Sequence, residues 1–355
     1  MLLHERHRLS HHQIDKVLGE ESGAQDTEEK LAQLDIISGF MGIAKQFNTA
    51  GIWFIPLKGP LLSFRIYGDA TIRRYKDFDL LVLKEQFIAV LQILAGMGYV
   101  PAEYAWPADP YLQNMIFNRL NQYSLNHPGT LTQVEVHWRL SRYPVIRPDY
   151  MDELIAENLR EIRFAGSSFR QFSPEFELLF LVMHGGIHAW KRLKWLVDIR
   201  EYLDRVPIRQ EKFLTLANQL DAQRMIGLCN ALLVRFFPGS SLLPGGAVVP
   251  AWFVRFALHR VSDPQAQKEG SFNHSLMATR YRLWSFPGWD YKIARLKGLT
   301  GFSTRDLSHE WIPHRHFFFA LFRLFRGITQ AIRHFINPLK FDKSVNHDIG
   351  NEFHT

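Results

Sequence analysis

The fold is decided by Leu57-Lys58-Gly59-Pro60-Leu61-Leu62 and, a little further on, Arg73-Arg74-Tyr75-Lys76-Asp77-Phe78-Asp79-Leu80-Leu81-Val82. In the first run, Ile52 to Leu57 predicts a short strand and Lys58-Gly59 a turn, with Pro60 at the first helical position, where no backbone donor is needed. Gly68 predicts the end of that helix after two turns. In the second run Phe78, Leu80 and Val82 alternate with Asp77 and Asp79. A strand over Tyr75 to Leu83 therefore puts core on one side and both carboxylates on the other, their Cα atoms about 6.6 Å apart.

Working outward, Gln133 to Leu140 shows the same division, with Val134, Val136 and Trp138 alternating with Glu135 and His137. If the two strands turn their apolar sides to a common core, Glu135 comes to lie beside the aspartates. Gln122 to Asn126 pairs with this strand as a hairpin across Pro128-Gly129. Leu31, Leu34, Ile37, Met41, Ala44 and Phe47 predict an amphipathic helix from about Glu28 to Gln46, and Glu85 to Met97 predicts another. The fold class expected is α+β: a small mixed or antiparallel sheet with flanking helices over residues 28–170. Ser173-Pro174-Glu175 then opens an all-helical part, residues 171–260, with a capping oxygen, a proline and an acid at the positive end of the helix dipole. Pro238 to Pro250 breaks the helical pattern. A basic aromatic helical extension over 261–341, a flexible tail over 342–355 and a flexible basic arm over 1–27 complete the expected organisation.

The composition, 46% hydrophobic and 22% charged over 355 residues, excludes collagen-like, coiled-coil and wholly disordered chains. A net charge of +7 suits an anionic partner. One cysteine, Cys229, excludes an internal disulfide framework and a Cys-rich zinc site, and points to the cytoplasm. Met1 to Gln13 lacks the apolar core of a secretory signal. The most apolar late stretch, Phe317 to Phe322, is interrupted at Arg323 and Arg326, short of the roughly 20 residues a spanning helix needs, so no transmembrane segment is expected.

Three carboxylates in one place repel one another by roughly 4 kcal/mol per pair at about 4 Å and an effective dielectric near 20. A divalent cation relieves this, and hard oxygen ligands with incomplete protein coordination suit Mg²⁺, or Mn²⁺, completed by substrate phosphates. Lys58-Gly59 supplies parts of a phosphate cradle: a mobile positive charge, a close backbone approach and a helix start aiming free N–H groups outward. Arg73 and Arg74 could add further charge.

These residues, with Tyr67-Gly68-Asp69, the run Val134 to Leu140, and His184, His188, Trp190, Arg192-Leu193, Trp195 and Asp198, resemble the uncharacterised nucleotidyltransferase family of the polymerase-β-like superfamily. The likeness covers roughly Glu28 to Leu203. The wider superfamily places Gly-Ser at the phosphate turn, and the resembled subfamily shares the Lys-Gly form found here. The resemblance implies a nucleotidyltransferase core with Asp77 and Asp79 as metal ligands and Glu135 as the third acid. With Lys58, Gly59, Arg73 and Arg74 read as nucleotide-binding, the function expected is transfer of a nucleoside monophosphate from an NTP to an acceptor, more a small molecule than a nucleic acid.

Plainer readings stand beside these. Asp-x-Asp alone is an ordinary solvated strand face; Lys58-Gly59 upstream and Glu135 downstream turn it into a site. His184 and His188, one helical turn apart, read first as hydrogen-bonded packing residues and second as acceptor or nucleotide contacts. Gly185 stands where a zincin carries its glutamate, which argues against zinc. Lys191, Arg192 and Lys194 read as a solvated face, with acceptor or phosphate contact as the alternative. His316 to Phe341 reads as a packed helix, or else as a contact for an anionic membrane surface or RNA backbone. A catalytically silent nucleotide-binding scaffold is the alternative to an enzyme.

Overall fold

A five-stranded mixed sheet organises the first half of the chain in the computed structural model, which describes residues 2–18, 23–130, 132–263 and 272–300. The strands are β1 (Phe54–Pro56), β2 (Asp77–Val82), β3 (Val100–Pro101), β4 (Gln122–Asn126) and β5 (Gln133–His137), in the spatial order β1-β2-β5-β4-β3. The β4–β5 hairpin is antiparallel, and β2 runs parallel to β5. A separate antiparallel hairpin, β6 (Leu159–Phe164) and β7 (Ser167–Phe172), has no counterpart in the sequence reading.

Helices α1 (Leu2–Glu5), α2 (His11–Leu18), α3 (Gly23–Thr49), α4 (Gly59–Tyr67), α5 (Phe87–Gly96), α6 (Pro110–Arg119) and α7 (Pro148–Glu157) accompany the strands. From α8 (Pro174–Ile187) onward every described element is a helix: α9 (Leu193–Arg205), α10 (Gln210–Gln219), α11 (Gln223–Phe236), α12 (Ala251–Ser262), α13 (Phe272–Ser285) and α14 (Trp289–Thr300). This is the expected α+β class. Of the described residues, those up to Ala102 and from Asn114 to Arg295 form one compact unit, and Glu103–Gln113 with the last few after Arg295 fall in a second. No described helix is long and apolar enough to cross a membrane. The basic aromatic run His316 to Phe341 and the tail over 342–355 lie outside the described residues.

The apolar sheet face is built as the alternation requires. Phe78, Leu80, Val134 and Val136 are buried, and Phe40 of α3 meets Phe78 with ring centroids 5.7 Å apart. Phe87 opens α5 and packs edge-on against Trp138 at 5.2 Å. The opposite face changes character along its length: Ile55, Leu57 and Leu81 join the helical core, whereas Asp77, Asp79 and Glu135 occupy the stretch that core does not cover.

Two expectations change. The α3 stripe is misplaced in its first half, since Leu31 and Leu34 are exposed while Gln33 is buried, its Oε1 accepting the Tyr75 N–H at 3.3 Å. A tertiary hydrogen bond there outweighs the local apolar pattern. The segment expected as a flexible arm instead carries α1 and α2 and buries His7 and Leu9. His7 Nδ1 accepts the Leu193 N–H at 3.0 Å, satisfying one of the free donors at the start of α9. Arg6 donates to the carbonyls of Arg260, Ser262 and Asp263 at the end of α12, where the helix dipole is negative.

The punctuation read from sequence matches the elements. Gly59 takes φ +68°, Pro60 sits in the first turn of α4, and Gly68, left-handed at φ 71°, closes it by donating to Phe64 O. Ser173 Oγ accepts the Phe176 N–H at 3.4 Å and caps α8.

Candidate functional site

The parallel register of β2 and β5 sets Asp77 opposite Gln133, Asp79 opposite Glu135 and Leu81 opposite His137. Because side chains repeat every two residues, Asp79, Glu135 and His137 share one face. Their ligand atoms lie within 4.8 Å of one another, with His137 Nε2 3.5 Å from Asp79 Oδ1 and 3.7 Å from Glu135 Oε2. Gln122, from β4, donates to Glu135 Oε2 at 2.7 Å and orients that carboxylate.

Lys58 enters this group because the ladder continues past β1: Leu57 N–H donates to Asp79 O at 2.9 Å, so the next residue emerges beside the aspartate. Its Nζ lies 3.0 Å from Asp79 Oδ2 and 3.2 Å from His184 Nε2. Since an ammonium only donates, His184 is the acceptor. Phe180 packs against His184 on α8, His188 follows at the end of that helix, and both imidazoles pack against Trp195 of α9.

Burial pushes the Asp79 carboxyl up, but Lys58 and then His137 more than offset this and hold it well below the usual carboxylate range. Burial and then Lys58 hold the His184 imidazole well below its ordinary value, so it is neutral at pH 7. Burial lowers the Arg192 guanidinium as well, opposed in part by Asp77 and Glu135, which places Arg192 within electrostatic reach of both acids.

The other expected site residues are placed as follows. Asp77 shares the Asp79 face but stands outside the tight cluster, its Oδ2 3.6 Å from Arg8 Nη1. Arg73 points away from the acids: its Nε donates to both Asp198 oxygens, at 3.1 and 3.0 Å, in a buried pair. Arg74 lies against the first helix, with Nη1 2.9 Å from His4 Nδ1 and 3.7 Å from Glu5 Oε1. The guanidinium of Arg192 lies over the Trp195 ring at 5.7 Å. Lys191 belongs to the turn between α8 and α9, its N–H directed at His188 O.

Two residues near the acids had no part in the expected site. His137 was legible as a polar residue on the Glu135 face of the strand. Arg8 carried no local signal, since its position depends on a fold-back of the N-terminal segment.

The carboxylate pair faces a lysine at a glycine-opened helix start, the whole set on one face of a small mixed sheet. That combination is the one expected of a nucleotidyltransferase, an enzyme that acts on an NTP. The chain belongs to the family described as uncharacterised nucleotidyltransferase, whose profile matches residues 12–238. No curated protein matches it. Among solved structures it is similar to an antigenic nucleotidyltransferase-like protein from Paracoccidioides brasiliensis, at 18% identity over 60% of this chain and 88% of that one, with a TM-score of 0.32.

Proposed function

We propose that the protein transfers a nucleoside monophosphate from an NTP to the hydroxyl of a small-molecule acceptor in the cytoplasm, releasing pyrophosphate. The observation that carries this reading is the in-register placement of Asp79 opposite Glu135 with Lys58 Nζ 3.0 Å from Asp79. Asp79 and Glu135 would hold Mg²⁺ or Mn²⁺, with Asp77 as a further oxygen donor on the same face. The donor set fits such an ion, because two carboxylates lie close together with a buried polar nitrogen that lacks a hydrogen-bond partner among the described residues. When bound, the ion would polarise the α-phosphate and neutralise the leaving pyrophosphate.

The chain's own groups do the rest. Lys58 swings its charge from Asp79 to the β and γ phosphates, while Gly59 lets the backbone approach them. Arg192 adds positive charge at the rim. The acceptor oxygen forms its bond to the α-phosphorus as the bond to pyrophosphate breaks in line, and the acceptor proton passes to Glu135. A small acceptor suits a site whose Asp79 is 9% and Lys58 13% exposed.

The test is incubation with α-labelled NTPs, Mg²⁺ or Mn²⁺ and a metabolite extract. Label should pass to an acceptor with pyrophosphate release, and an Asp77→Asn, Asp79→Asn double variant should abolish it. Unchanged transfer by that variant would remove the site from consideration. Saturable NTP binding with no label moved would reduce the protein to a nucleotide-binding scaffold.

A further inference from the structure

The carboxylates are joined by a nitrogen. His137 is 7% exposed, and its Nε2 has no hydrogen-bond partner among the described residues although two acids flank it. The spacing suits one ion. Donors about 2.1 Å from a common metal stand about 3.0 Å apart at octahedral right angles and about 3.4 Å apart in a tetrahedron. The observed separations, 3.5 Å to Asp79 and 3.7 Å to Glu135, are close to the tetrahedral spacing and exceed the octahedral one by about half an ångström or a little more, a gap that side-chain rotation on binding would close. Lys58 engages the other Asp79 oxygen, Oδ2, and so leaves Oδ1 facing the imidazole.

The back of the ring is also arranged. The Asn121 side-chain amide lies 3.4 Å from His137 Nδ1. As placed, the amide nitrogen faces Nδ1 and also donates to Gln122 Oε1 at 3.3 Å; only the flipped amide, which gives up that contact, would accept an Nδ1 proton and leave the Nε2 lone pair for a metal.

We infer that His137 Nε2, Asp79 and Glu135 form a two-carboxylate, one-imidazole seat for a divalent ion of the first transition row, and that the protein prefers Mn²⁺ to Mg²⁺. The inference rests on the proposed role of Asp79 and Glu135 as the residues that hold the ion. An imidazole nitrogen is a borderline donor that transition ions accept readily, whereas Mg²⁺ favours oxygen and keeps its waters. His137 is thereby a metal-selecting residue.

Mn²⁺ bound to the full-length protein tests this without reference to turnover. Pulsed electron paramagnetic resonance should show nitrogen modulation from one imidazole, and equilibrium titration should show Mn²⁺ binding more tightly than Mg²⁺. His137→Gln should abolish the modulation and weaken Mn²⁺ about tenfold or more while changing Mg²⁺ less. If that variant fails to fold, the signal of the unaltered protein decides alone. Mn²⁺ that is lost in Asp79→Asn but shows no nitrogen modulation would overturn the role of His137 and leave the acid site standing. Mn²⁺ binding unaffected by Asp79→Asn, or no binding at all, would overturn both.

Discussion

Lys58 Nζ and Asp79 Oδ2 form a 3.0 Å ion pair that is nearly closed to solvent. The lysine at the phosphate turn is thus the counter-charge of the acid that faces Glu135. Because Leu57 hydrogen-bonds the Asp79 carbonyl, the strand ladder itself places the pair. Lys58→Met removes the larger of the charges that hold down the buried Asp79 carboxylate and leaves only His137 beside it, and losing one partner of such a pair costs up to about 3–5 kcal/mol. Urea unfolding should show a loss of that order, and millimolar Mn²⁺ should restore part of it by replacing the ammonium. A variant as stable as the parent, with or without metal, would show that the pair contributes nothing.

The buried Arg73–Asp198 pair ties the segment ahead of β2 to α9. Arg73→Met alone should cost about 3–5 kcal/mol, and adding Asp198→Leu should recover most of it, because an apolar pair replaces an ionic one. Titration of NTP into the double variant should give an unchanged affinity. Recovered stability with weakened NTP binding would instead return Arg73 to the phosphate-binding role expected from sequence.

Gly185 faces the fully buried ring of Trp190, and a Cβ there would lie 2.4 Å from Trp190 Cζ3. Gly185→Ala should therefore destabilise by about 1–3 kcal/mol through overpacking. Gly39, inside α3 with nothing within 4 Å of such a Cβ, is the control. Gly39→Ala should stabilise by about 0.5–1 kcal/mol. Denaturant midpoints of the two variants should move in opposite directions.

The hydrogen bond from Leu193 to His7 requires an unprotonated Nδ1. Burial, and then Arg6, lowers the His7 pKa from 6.5 to about 4. Between those values the unfolded chain binds the proton and the folded chain does not. Stability should accordingly fall as pH drops from 6.5 towards 4, by at most roughly 1.4 kcal/mol per pH unit from this residue, and level off below. Unfolding free energies at pH 7, 6 and 5 should trace this slope, and His7→Gln should flatten it. An identical slope in the variant would assign it to other groups.

Much of the local structure was legible. The alternation in Asp77 to Val82 and Gln133 to His137 placed each acid opposite its strand's apolar side, and Pro60, Gly68 and Ser173-Pro174 marked helix ends where the structure has them. The same local reasoning failed for α3, where Gln33 displaced Leu31 and Leu34 from the interior. It read Arg73 as charge for the nucleotide and gave no sign of Asp198, 125 residues away, with which the structure pairs it.

From its sequence alone, the chain determined which faces are apolar, where helices begin and stop, and that Asp77, Asp79, Glu135 and Lys58 are charged groups set on strand faces or at a helix start rather than in the core. These are properties of neighbouring residues, written in side-chain period and backbone preference. Only tertiary structure decided that Asp79 rather than Asp77 meets Glu135 and His137, that Lys58 pairs with Asp79, and that His7 reaches the start of α9. Such choices follow from the packing of segments far apart in the chain. Their register is set when the cost of closing long loops is met by contacts that no local pattern records.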